Sequence, residues 1–377
     1  MKKGLLILII AVIAMTMVAS TLAGCKTTAA AETTAAATTA AAETTAAEST
    51  AAAQSFDIIN VPKFLGNLVF VLSYNGGTEA HKELGNTGKW DFVGPTAENA
   101  ATGQIDIITN AVTQGYNAII LSNFSGEQVS PACKAAQDAG LIVNTYDSGI
   151  PSSVGENVFV AQVDFDETGK VMADMARDIL GPDGGNMVVL SSNPDSANQN
   201  AWIAALEENL KKPEYENLKL LQIAYTDDTA EGAYDQALSM IGKYPDMDLF
   251  MVPHSIAIVS ACKALIDEKL TDKIKVSGLG LASEMETYCL DGIAPEFALW
   301  SFYDLGYLAY HLTYKMLTGE LKGAEGESFT AGRLGDYTIT KDPTRDKGLR
   351  LLLGPFKIYN KDNVSIDAKI EAEAAGQ

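Results

Sequence analysis

Short apolar runs alternate with amphipathic stretches along most of the chain, and this alternation restricts the fold more than any other feature. The first five strand candidates are "DIINVP", "WDFVG", "AIILS", "LIVNTYD" and "VFVAQV". After Asp164 come "MVVLSS", "LKLLQIAY", "LFMVP", "IKVSGLG" and "FALWSF". Between them, "ENAATGQIDIITNAVTQG" and "AEGAYDQALSMIGKYP" carry apolar residues at helical spacing and end in Gly or Pro. Strands that alternate with helices make βαβ units, which require a parallel sheet and right-handed crossovers. One internal echo divides the body. "SPACKAAQDAGLIVNTYD" in the first half parallels "VSACKALIDEKLTDKIKVSGLG" in the second, with Cys133 and Cys262 in matching places. The predicted class is therefore α/β, built from two similar Rossmann-like domains with parallel sheets.

The first 54 residues do not belong to this pattern. "MKKGLLILIIAVIAMTMVASTLAGC" has two lysines, an unbroken apolar run and small residues before a cysteine, which is the layout of a secretory signal. Its "LAGC" ending resembles a bacterial lipobox, with Cys25 as the acylated first residue of the mature chain. Residues 26–54 are almost wholly Ala, Thr, Glu and Ser, which offer too little apolar surface to offset the entropy of ordering. They are expected to form a disordered tether between a lipid anchor and the folded body. The roughly 320 residues that remain are too many for one typical core and fit two domains.

The formal net charge is −21, and loss of Lys2 and Lys3 with the signal would make it more negative still. An acidic surface repels phosphate backbones, so nucleic acid is not an expected partner. Cys133, Cys262 and Cys289 lack metal-ligand spacing, and the first two lie in amphipathic patterns where a free cysteine is a small buried hydrophobe. "GLGLAS" lacks the third glycine of a dinucleotide loop, and neither a phosphate-binding "GxxxxGK[ST]" loop nor a "GxSxG" elbow occurs. His81, His254 and His311 show no metal spacing and no nearby nucleophile. An enzyme, a cofactor and a bound metal are therefore not expected.

In open α/β sheets, ligands bind outside the carboxyl ends of the strands. Those positions carry unusual polar residues here. "INVPK" ends in Lys63, "IVNTYDS" in Asp147, and "MVVLSSNPDSANQN" delivers Asn198 and Gln199. "LFMVPHS" ends in Pro253, His254 and Ser255, and "FALWSF" sets Trp300 inside an apolar strand. A carboxylate such as Asp147 accepts from two vicinal hydroxyls, and the amides of Asn198 and Gln199 both donate and accept. The Lys63 ammonium donates to ring or hydroxyl oxygens, and Phe70 and Trp300 can pack the apolar face of a ring. Trp202 is expected to pack and anchor the helix after "SANQN". The residue types fit a small, neutral polyol or sugar.

The body resembles a type I periplasmic binding protein of a sugar ABC importer, and within that family the rhamnose-binding and autoinducer-2-binding branch. The resemblance rests on "VPKFLGN", "GPTAENAATGQIDIITNAVTQGYNAIILS", "TYDS", "NQNAW", "GLG", "FALWSFYDLGYLAYH" and "GESFTAGRLGDYTI", and spans nearly all of Ile58 to Val364. It implies ligand contacts at Lys63, Asp147, Gln199 and Pro253. Asn198 stands where the autoinducer-2 receptors carry an acidic residue, and Ser255 where they use an alanine. "NQNAW" and "AGRLGDYT" look more like the rhamnose-type members. The resemblance also implies a hinge of three crossing segments, near Val163, near Ser301 and between Tyr337 and Lys357. On that basis residues 1–25 are the signal and 26–54 the tether. Residues 55–163 with 302–337 form the first domain, and 164–301 the second. Residues 338–377 carry the last crossing, the last strand and a tail. The implied function is hinge closure on a sugar-like ligand and delivery by a monomer to a membrane permease. A sensing or chemoreceptor role would use the same cleft.

Overall fold

In the computed structural model, residues 55–376 are described, so the expectations for residues 1–54, Cys25 included, lie outside the described residues. The described residues form one compact unit built on two larger, mostly parallel sheets. The first is assembled from β1 (Ile58–Val61), β2 (Trp90–Phe92), β3 (Ala118–Leu121), β4 (Ile142–Tyr146) and β5 (Phe159–Ala161). Its helices are α1 (Leu68–Glu83), α2 (Ala100–Gln114) and α3 (Ser130–Asp138). β1 and β3 are buried at every position, as "IINV" and "AIIL" must be when helices cover both faces of a parallel sheet.

The chain then crosses at residues 162–164. α4 (Phe165–Leu180) begins at Asp164, whose carboxylate accepts from the Asp166 amide, and it packs on the second sheet. That half contains β6 (Gly185–Ser191), α5 (Ala197–Asn209), β7 (Leu218–Tyr225), α6 (Ala230–Lys243), β8 (Leu249–Val252), α7 (Ser255–Asp267), β9 (Lys275–Gly278), α8 (Ala282–Leu290) and β10 (Glu296–Leu299). Trp300, expected inside a strand, sits just beyond it because β10 ends at Leu299.

A second crossing at 300–301 leads into α9 (Phe302–Leu317), which returns to the first half and lies along α1. The two helices approach backbone to backbone through Gly76 and Gly306. A Cβ on Gly76 would fall 1.8 Å from the Tyr303 carbonyl oxygen, and one on Gly306 would fall 1.8 Å from that of Ser73. A small hairpin of β11 (Ser328–Thr330) and β12 (Asp336–Thr338) follows. β13 (Thr340–Lys341) and β14 (Leu349–Leu352) then extend the first sheet beside β5. After a third crossing at 353–356, β15 (Lys357–Asn360) pairs with β10. The segment read from sequence as a tail forms α10 (Val364–Ala375). Val364 and Ala368, one turn apart, are buried there, and α10 packs against both α8 and α1.

The strand orders fix where a site can form. The first sheet runs β13-β14-β5-β4-β3-β1-β2 and the second β7-β6-β8-β9. Each reverses direction beside its first strand, between β1 and β3 and between β6 and β8. Such switch points open crevices at the carboxyl ends of the strands. Cys133, Cys262 and Cys289 are free and buried, and burial pushes the Cys133 thiol up to about 12. Among the described residues, no cluster of three or more His, Cys, Asp or Glu side chains could hold a metal ion.

Candidate functional site

The strand-end loops of both sheets meet in one cavity. Its lining includes all eight predicted residues: Lys63, Phe70, Asp147, Asn198, Gln199, Pro253, Ser255 and Trp300. Lys63 follows β1 and is only 7% exposed. Asp147 follows β4 with φ +60°, a left-handed conformation that L residues other than Asn and Asp rarely adopt. That turn brings its carboxylate back over the sheet. Ser122, at the end of β3, donates to Asp147 Oδ2 at 2.8 Å, and Gln162 Nε2 donates to Oδ1 at 3.1 Å. Lys63 Nζ lies 3.5 Å from Oδ2. The ammonium and the carboxylate are thus both desolvated and held by neighbours, the condition under which a buried ion pair is tolerated.

The second sheet contributes the first turn of α5. Asn198 faces the ion pair directly. Its Oδ1 accepts from Lys63 Nζ at 3.3 Å, and its Nδ2 donates to both Asp147 Oδ1 and the Asp147 carbonyl at 3.3 Å. Gln199 Oε1 accepts from Ser191 Oγ and from the Ser192 amide, both at 2.9 Å. Its NH2 end is the one left for the cavity. A second link crosses at the start of α7, where Asn67 Nδ2 donates to Ser255 Oγ at 3.3 Å. Asn67 also caps α1 through its Oδ1, so one side chain starts a helix and spans the cleft.

A third arm was not assembled from the sequence. Asp228, in "TDDT" after β7, has φ +59° and is buried. Its Oδ2 accepts from Asn193 Nδ2 at 2.7 Å, and its Oδ1 lies 3.3 Å from His254 Nε2. Burial lowers the His254 imidazolium pKa below its usual value, with Asp228 opposing and Lys63 adding to the effect. The strand-end rule that picked out Lys63 and Asp147 applies equally to "QIAYTDDT" and would have found Asp228.

The rest of the lining is apolar and aromatic. Phe64 meets Phe70 edge-on at 5.9 Å, and Trp202 meets Trp300 at 5.5 Å. Phe302, Leu279 and Leu299 belong to it too. Trp202, expected only to anchor a helix, packs against Phe165 and also lines the cavity. The signal was its position four residues after Asn198, which puts both on one helix face. Three buried nitrogens here have no hydrogen-bond partner: Trp202 Nε1, Trp300 Nε1 and His254 Nδ1. Unpaired buried polar atoms are costly, and indole N–H groups can only donate.

A cavity at the strand ends of two doubly wound sheets, lined by both polar and aromatic side chains, defines a bilobed solute-binding protein. Residues 58–321 match the periplasmic binding protein domain, and the chain belongs to that family. Its members are non-enzymatic, extracytoplasmic solute binders with the type I fold of two α/β lobes. Similar solved structures include a solute-binding protein of an ABC transporter from Clostridium phytofermentans with bound L-rhamnose. It is 29% identical, with a TM-score of 0.78, over 84% of this chain and 99% of that one. A sugar ABC transporter protein from Actinomyces odontolyticus is 30% identical, with a TM-score of 0.66, over 83% and 97%. LsrB from Clostridium saccharobutylicum in complex with AI-2 is 26% identical, with a TM-score of 0.76, over 82% and 99%.

Proposed function

We propose that the protein is the solute-binding lipoprotein of an ABC importer. It takes a small neutral sugar of the rhamnose type into the cavity, closes on it, and delivers it to a membrane permease. Residues 55–161 with 302–352 act as one lobe, and 165–299 with 357–376 as the other. The crossings at 162–164, 300–301 and 353–356 serve as the hinge, and Cys25 as the lipid attachment. Lys63, Asp147, Asn198, Gln199, Pro253 and Ser255 contact the hydroxyl-bearing edge of the sugar, and Phe70 and Trp300 pack its apolar face. The observation that carries this reading is that a desolvated Lys63–Asp147 pair and two tryptophans with unpartnered indole donors line one cavity. A polyol supplies both the donors that a carboxylate needs and the acceptors that the indoles need. A ligand bridging the lobes binds the closed state more tightly, and this difference drives closure.

Autoinducer-2 is the second reading, favoured by the likeness to LsrB and by Lys63, Asp147, Gln199 and Pro253. Against it stand Asn198 and Ser255, where the resemblance implies an acidic residue and an alanine. The protein, freed of ligand by unfolding and refolding, is melted with excess L-rhamnose, autoinducer-2, ribose or glucose. Ligand at ~1,000 times its dissociation constant adds about 4 kcal/mol, a shift of roughly 2–4 °C for each kcal/mol. Rhamnose is expected to raise the midpoint. A shift with autoinducer-2 alone would replace this reading with the second.

A further inference from the structure

Asp228 and His254 line the same cavity and, with Asn193 behind them, form a chain that none of the proposed sugar contacts above uses. It runs through the loops that follow β6, β7 and β8, so three adjacent strands of the second sheet hold it in place. Asp227 and Asp228 are consecutive residues with φ +53° and +59°. Backbone of this kind is costly for residues with a Cβ and persists only where the surroundings impose it. The result is a carboxylate with both oxygens committed, Oδ2 to Asn193 Nδ2 and Oδ1 to His254 Nε2.

A carboxylate can only accept, so its approach to Nε2 puts the imidazole proton on that nitrogen. Nδ1 is then a bare lone pair. It is buried, belongs to a residue 6% exposed, and has no partner in the protein. The other two unpartnered nitrogens on the cavity-lining residues described, Trp202 Nε1 and Trp300 Nε1, are donors; this one is an acceptor.

We propose that His254, oriented by Asp228, is a specificity-determining contact that accepts a hydrogen bond from one hydroxyl of the bound sugar. The inference rests on the cavity being the sugar site. A hydrogen, a fluorine or a keto oxygen at that position leaves Nδ1 unpaired, and a keto oxygen also sets two lone pairs against each other. The site therefore selects a hydroxyl-bearing carbon over a carbonyl there. Loss of such a bond corresponds to about a 10- to 100-fold weaker affinity. Asp228 acts through His254 and is a positioning residue.

The test titrates the ligand-free protein calorimetrically with L-rhamnose and with its monodeoxy and monofluoro derivatives. In the wild type, the deoxy and fluoro forms at one position are expected to bind about 10- to 100-fold more weakly than the parent. In His254→Phe the parent weakens, and the penalty at that position disappears while those at other positions stay. Asp228→Asn gives a readout that simple loss of packing would not. Asn193 keeps the new amide oxygen on its side, so the amide NH2 faces His254 Nε2 and moves the imidazole proton to Nδ1. The fluoro derivative should then lose less than the deoxy one. Equal penalties at every position in wild type and His254→Phe would overturn the inference and leave the sugar site intact. If His254→Phe does not fold, an unchanged ranking in Asp228→Asn overturns it. A wild type that binds no sugar at all overturns the reading of the cavity, and this inference with it.

Discussion

Asn198 Nδ2 lies 3.3 Å from both the side-chain and the main-chain oxygen of Asp147, joining the strand ends of the two sheets across the cleft. The same amide takes a hydrogen bond from Lys63 at 3.3 Å. One neutral residue thus touches both members of the buried ion pair. Under the proposed function, a sugar entering between them exchanges these contacts for its own hydroxyls, so substitution of either residue is predicted to weaken binding.

Asp147→Asn tests the charge without disturbing the turn, because Asn also tolerates the left-handed backbone found there. Removing a charge-assisted acceptor costs about 1.5–3 kcal/mol, roughly 10- to 150-fold in affinity. Sugar affinity measured by calorimetry should fall by that factor, with the ligand-free melting point within a few degrees of wild type.

Two of the three tryptophans, Trp202 and Trp300, line the cavity, whereas Trp90 stacks on Tyr74 at 5.2 Å in the first half. Sugar binding should therefore change the intrinsic emission. The change should persist in Trp90→Phe and be reduced in Trp202→Phe and Trp300→Phe. A response lost only in Trp90→Phe would place binding elsewhere.

His311 is 1% exposed, and neither ring nitrogen makes a hydrogen bond. Burial pushes its pKa down to about 4, against an opposing pull from Glu83, whose Oε2 lies 3.9 Å from Nε2. Lys315, Arg333 and Glu79 complete the charges around it. The folded pKa lies below the unfolded one, so the unfolded chain takes up the proton first. Stability is full above about pH 6.5 and is lost as pH falls toward 4, by up to about 3 kcal/mol. His311→Phe keeps an aromatic ring against Tyr307 and removes both orphan nitrogens. Melting curves from pH 7 to 4.5 should fall less steeply for the variant than for wild type.

The helix pair α1–α9 depends on having no Cβ at Gly306. Gly306→Ala sets a methyl 1.8 Å from the Ser73 carbonyl oxygen and should cost about 1–3 kcal/mol despite the better helix propensity of alanine. Gly242→Ala, near the end of α6 with open space around it, should instead stabilise by up to about 1 kcal/mol. Denaturant midpoints of the two variants decide this.

Much of this was legible in the sequence, for specific reasons. Period and punctuation gave β1 to β9, because buried parallel strands read as unbroken apolar runs, but not β13 and β14, which extend the first sheet from a polar, turn-rich segment. Lys63 and Asp147 stood out as charges where apolar strands stop. Asp228 was equally exposed to that rule but was passed over in a run of polar loop residues. What the sequence could not give is Asp228's left-handed backbone or its reach to His254, since both depend on tertiary placement. Trp202 was hidden because a tryptophan on an amphipathic helix reads as packing, which it also does. The helix α10 lacked a strong apolar stripe, and Ile366 and Ile370 remain exposed on it.

The most direct test of sugar binding between the two halves is a calorimetric titration of the ligand-free protein with L-rhamnose, beside Asp147→Asn under the same conditions. Saturable one-to-one binding that weakens at least tenfold in the variant is the predicted result. Binding of equal strength in both proteins, or no heat from rhamnose while the refolded protein melts cooperatively, would contradict it.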